Sequence, residues 1–158
     1  MKGALPPALL CAALGFAVAF TPWRTMAAAL AALLIAAVAT AMLPLDAAMQ
    51  APVLAGLWLS TAVTAAAVHF LPRGKALPLA LAVNAGGWAG AAIAVGGVPG
   101  DLARALPAAL VALPAAWLVA QGGGLGVKIV ASWLIAVAIL AATLPIVQTP
   151  GYVEDHRG

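Results

Sequence analysis

Six long apolar runs, with the charges in or beside the short gaps between them, constrain this chain more than any other feature. They cover roughly residues 4–20, 22–43, 48–71, 76–98, 102–121 and 127–147. A hydrocarbon core about 30 Å thick takes about 20 helical residues to cross, with about 17 as a lower limit. The first run sits at that limit and the others meet it. Of the 158 residues, 66% are hydrophobic and 7% are charged, so the six runs use nearly the whole chain and leave no room for a soluble domain. In lipid every backbone N–H and C=O needs an internal partner, which restricts the choice to helices or a closed barrel. Ala/Leu-rich runs without period-two alternation point to helices. The expected fold is therefore all-α: a polytopic transmembrane bundle of six spans over residues 1–150, with a short polar tail at 151–158.

The first run also has features of a secretory leader. Lys2 precedes an apolar stretch, and Ala17 and Ala19 offer small residues near its end. Another apolar run follows at Pro22, and cleavage would leave five spans, so we read the first helix as retained and five spans as the alternative. Cys11 is the only cysteine, which excludes an intramolecular disulfide and a cysteine-based metal cluster.

Loop charges set the expected orientation. One side collects Lys2, Arg104 and Arg157 together with Asp46, Asp101, Glu154 and Asp155. The other collects Arg24, Arg73, Lys75 and Lys128 and no acid. Basic residues in short loops favour the cytoplasm, and acids count for little. The score is four against three, and Arg104 and Arg157 lie beside acids. The expected location is a bacterial-type inner membrane, with both termini on the non-cytoplasmic side. The net charge of +3 is scattered, with no basic patch or interleaved aromatics, so nucleic acid is not an expected partner.

Boundary residues agree with the runs. Thr21 and Pro22 suit the start of the second helix, and Asp46 and Asp101 suit the starts of the third and fifth. Pro72 and Gly74 should stop the third helix, Pro99 and Gly100 should separate the fourth from the fifth, and the glycines of QGGGLG at 121–126 should form a tight reversal. Trp23 lies at a predicted membrane edge. Trp58, Trp88, Trp117 and Trp133 lie deeper and read as packing residues rather than platforms for a stacked solute.

Chemistry-bearing residues within the runs are few. Gly86 and Gly90 form a G-x-x-x-G pair, with Gly87 between them; such spacing lets a second helix approach closely. Close packing is the favoured reading, and a pore-lining or hinge segment the alternative. Asn84 lies near mid-span and its carboxamide needs a partner, either another helix or a polar solute. Ser60, Thr61 and Thr64 share faces of the third helix and could line a polar path or bond back to their own carbonyls. His69 sits near the cytoplasmic edge and reads as an interfacial residue. His156 lies in the tail on the opposite side, so the two histidines cannot share one metal or haem within a chain. In the fifth run ALPAALV is followed by ALPAAWL, which places Pro107 and Pro114 seven residues apart and nearly on one face of an α-helix. Two prolines there should kink or unwind it. Arg104 reads as a headgroup anchor paired with Asp101.

No carboxylate lies inside any run, and no catalytic triad, H-E-x-x-H or phosphate-binding loop is present. GGGLGVK at 122–128 lacks both the preceding strand and the G-K-S/T ending. No enzyme, metal or cofactor is expected. The leading functional expectation is a non-catalytic membrane subunit that packs against a larger membrane protein or another copy of itself. The alternative is a small transporter or channel for a neutral or weakly polar solute, with Asn84, Ser60, Thr61 and Thr64 along its path and Gly86, Gly87, Pro107 and Pro114 supplying the irregular backbone.

Overall fold

The computed structural model describes residues 4–70 and 74–144. Its fold is all-α, and five of its helical rods are long and apolar enough to cross a membrane. The helices are α1 (Leu5–Val18), α2 (Trp23–Ala41), α3 (Gln50–Phe70), α4 (Ala76–Gly96), α5 (Pro99–Ala105), α6 (Ala112–Ala120) and α7 (Gly124–Thr143). A 3₁₀ segment, Leu106–Val111, joins α5 to α6, so these two form one rod.

The sixth rod, α1, has 14 residues and is about 21 Å long, short of the hydrocarbon thickness of about 30 Å. It is also the innermost helix. It touches every other helix, and Leu10, Cys11, Ala13, Leu14 and Val18 are fully buried. A short helix is tolerated there because protein, not lipid, surrounds it. The first run thus lies at the core of the bundle.

Around α1, α4 and α2 form the closest pair, α3 packs between α4 and α7, and the α5–α6 rod closes the ring. Alanine supplies more than half of the buried apolar side chains among the described residues, while Ile35, Leu59, Trp133 and Leu140 face outward. Small residues inside and large apolar ones outside is the arrangement lipid favours. Burying a large side chain away from acyl chains gains little, so association rests on close van der Waals approach.

Two helix starts differ from expectation. Thr21 donates its hydroxyl to the Val18 carbonyl at 2.6 Å and so closes α1 instead of opening α2. Pro22 is the N-cap residue and Trp23 the first helical one. Asp101 does not precede the fifth helix, because Pro99 starts it two residues earlier; the Asp101 carboxylate reaches back to the Val98 N–H at 3.4 Å. Asp46 does cap as expected, accepting from the Ala48 N–H at 2.9 Å ahead of a 3₁₀ turn, Ala47–Met49. The glycine loop reverses the chain through Gly122, whose φ of +86° is costly for a residue with a Cβ.

Candidate functional site

The seam between antiparallel α3 and α4 gathers most of the polar chemistry of the spans. Asn84 donates from its carboxamide nitrogen to the Ser60 hydroxyl at 2.5 Å. Ser60 is buried, whereas Asn84 lies on the outer face of the bundle, about 12 Å along α4 from its start. One turn further along α4, the Trp88 indole lies against Gly56 of α3, where a Cβ would overlap the ring. Gly56, Ser60 and Thr64 recur every fourth residue, so small side chains line one strip of α3 and let α4 approach. Gly56 was not among the expected residues, although its spacing to Ser60 and Thr64 was a legible signal.

Gly86 and Gly90 face α2. A Cβ at Gly86 would stand 2.5 Å from the Leu33 carbonyl oxygen and 2.8 Å from the Ala36 Cβ. One at Gly90 would overlap the Ala37 carbonyl oxygen and approach the Thr40 hydroxyl to 2.8 Å. The G-x-x-x-G pair therefore lies within this chain's own closest helix contact. Gly87, between them, points elsewhere: a Cβ there would meet nothing within 4 Å.

The other hydroxyls do not join the Asn84–Ser60 pair into a path. Thr61 is buried and donates to the Leu57 carbonyl of its own helix at 2.9 Å. Among the described residues, the Thr64 hydroxyl is buried without a hydrogen-bond partner, as is that of Thr25 at the start of α2. His69, at the end of α3, is half-buried, and its Nε2 lies 3.3 Å from the Ser132 hydroxyl of α7. Ser132 in turn donates to the Lys128 carbonyl at 3.0 Å. Ser132 carries no signal of its own in the sequence, since nothing there shows that α7 abuts α3. His156 and the rest of the tail lie outside the described residues. Among the described residues, no three metal-ligating side chains cluster.

Pro107 and Pro114 do not share a face. Four of the seven steps between them fall in the 3₁₀ segment, where each turns about 120° instead of about 100°, so the two rings end about 60° apart rather than nearly eclipsed. Pro107 lines a groove of about 450 Å³ against Leu30, Leu33 and Leu34 of α2, and Pro114 lines another of about 340 Å³ against Val127 and Val130 of α7. Both grooves are apolar and open outward. Gly15 of α1 abuts the unwound stretch, where a Cβ would stand 2.7 Å from Val111 and 2.8 Å from the Ala109 carbonyl oxygen.

Two of the deeper tryptophans depart from the expected packing role. Trp58 and Trp88 pack on the core, but Trp117 and Trp133 are 65% and 73% exposed. Trp117 lies near the end of α6, a depth that suits an amphipathic indole. Trp133, nine residues into α7, simply faces outward. Asp101 is buried and pairs with Arg104 at 3.0 Å, while Arg104 stays largely exposed at the bundle's edge.

No family model, curated protein or solved structure matches the chain. The length, hydropathy and packing of its helices make it a polytopic helical membrane protein.

Proposed function

We propose that the chain is a non-catalytic integral membrane subunit, crossing a bacterial-type inner membrane six times and packing laterally against larger membrane proteins. The observation that carries this reading is where the polar groups of the spans lie. Asn84 sits at the outer edge of a helix seam, and none of Asn84, Ser60, Thr61 and Thr64, the polar groups of a solute path, lines the apolar grooves beside Pro107 and Pro114. Close contacts at Gly15, Gly56, Gly86 and Gly90 fill the interior instead. A protein built this way offers neighbours its outer faces and has no described interior route for a solute. The sixth span is α1, and the side bearing Arg24, Arg73, Lys75 and Lys128 faces the cytoplasm.

A second reading, a small transporter for a neutral solute, draws support from the Thr64 and Thr25 hydroxyls, buried without a partner among the described residues, and from the unwound stretch at Pro107. Purification of the chain in mild detergent separates the two. A stoichiometric foreign membrane protein supports the subunit. A chain that purifies alone, and that in liposomes passes a neutral solute at a rate abolished by Asn84→Leu, overturns it in favour of transport.

A further inference from the structure

We infer that a second copy of this chain docks on the outer face of α4, about a twofold axis along the membrane normal, with the two Asn84 carboxamides hydrogen-bonded to each other. The inference rests on reading the chain as a laterally packing subunit, and names one of the surfaces used.

A carboxamide offers two N–H donors and a carbonyl with two lone pairs. Asn84 makes one side-chain hydrogen bond among the described residues, to Ser60, which leaves one N–H and the carbonyl on the outer surface near mid-span. Hydrocarbon cannot satisfy either group, and an unmet polar group there is costly. The pair Asn84–Ser60 is therefore half finished.

Symmetry supplies the complement. A partner of another sequence would need a donor and an acceptor at this depth. A second copy, inserted in the same orientation, brings both there necessarily. Across a twofold, each free N–H meets the other carbonyl, and two equivalent bonds form. The surrounding surface permits the approach: Ala80, Asn84 and Gly87 fall at i, i+4 and i+7 on the exposed side of α4, and Gly87 has open space where a Cβ would project. Both copies keep the bond to Ser60, because the dimer uses only the groups that bond leaves over. Gly86 and Gly90 do not take part, since α2 occupies them.

Single cysteines test this in membranes. The native Cys11 is fully buried and does not compete. Under mild oxidation Ala80→Cys or Gly87→Cys should form a disulfide-linked homodimer, because a disulfide needs Cα atoms within about 7 Å. Ile35→Cys, 70% exposed on α2, should form none. Adding Asn84→Leu should weaken dimerisation about tenfold, as expected for two membrane hydrogen bonds, while Ser60→Ala should leave it in place. Continued protection of Cys11 from thiol reagents shows that each variant is folded; should Asn84→Leu lose that protection, Asn84→Gln, which retains the carboxamide, must preserve the cross-link. Equal cross-linking at position 35, or an unchanged cross-link in folded Asn84→Leu, overturns the inference. A co-purifying foreign chain without any cross-link at 80 or 87 overturns the dimer and leaves the subunit reading standing. A cross-linked dimer that purifies with no further chain sustains the dimer and removes the larger partners.

Discussion

The contact between α2 and α4 should be sensitive to a single added methyl. At Gly86 the new Cβ would stand 2.5 Å from the Leu33 carbonyl oxygen, 2.8 Å from the Ala36 Cβ and 3.0 Å from the Ala37 amide nitrogen. Ordinary contacts need about 3.5–4.0 Å, so the helices must part by about 1 Å. Two of those three atoms are backbone and cannot rotate away. Overpacking of this kind costs about 2 kcal/mol, and the better helix preference of alanine returns at most about 1 kcal/mol. The net loss for Gly86→Ala is then about 1 kcal/mol, roughly fivefold in the folding equilibrium. Gly90→Ala should behave alike. Gly87→Ala, one residue away and unobstructed, should be neutral or slightly stabilising. Cys11 provides the assay, because this single thiol, fully buried in α1, is labelled only when the bundle opens. Its labelling rate is followed across an SDS titration in mixed micelles. Opening at lower SDS for Gly86→Ala and Gly90→Ala, but not for Gly87→Ala, is the expected pattern. If all three variants coincide, the packing argument is wrong.

Trp88→Ala should empty the notch over Gly56 and lower stability by about 2 kcal/mol, below the usual range for a fully buried aromatic because the ring is only half-buried; the same SDS titration reads it. Gly15→Ala should push α1 away from Val111 and Ala109 and speed Cys11 labelling even without SDS, whereas native-like protection would refute the close approach. Gly122→Ala should cost about 1 kcal/mol through its left-handed backbone, and Gly74→Ala, with a free Cβ position, nothing measurable by thermal unfolding.

The sequence pattern carries the number and order of the apolar runs because hydropathy is additive along a chain and needs no partner to be read. Distances between runs are not additive in that sense. Gly86 and Gly90 advertise a close contact, yet only the assembled bundle shows that α2 occupies it and that Gly87 is left outside. Asn84 announces a need for a partner, but not that Ser60 meets only part of it. The seven-residue proline repeat misleads for a local reason. Its shared face presumes an α-helical turn angle, which the prolines themselves abolish. Thr21, too, fits two adjoining helix ends equally well from sequence, and the structure commits it to the first.

The shortest of the six rods being the innermost has a consequence for biosynthesis. α1 leaves the ribosome before the rods that enclose it, and at about 21 Å it is a poor match for the bilayer it first meets. Its neighbours α3, α4, α6 and α7 arrive later, so the nascent chain carries an unsheathed, undersized segment until α7 is made. Translation and folding are thereby ordered against each other: the centre precedes in the chain every rod that must enclose it.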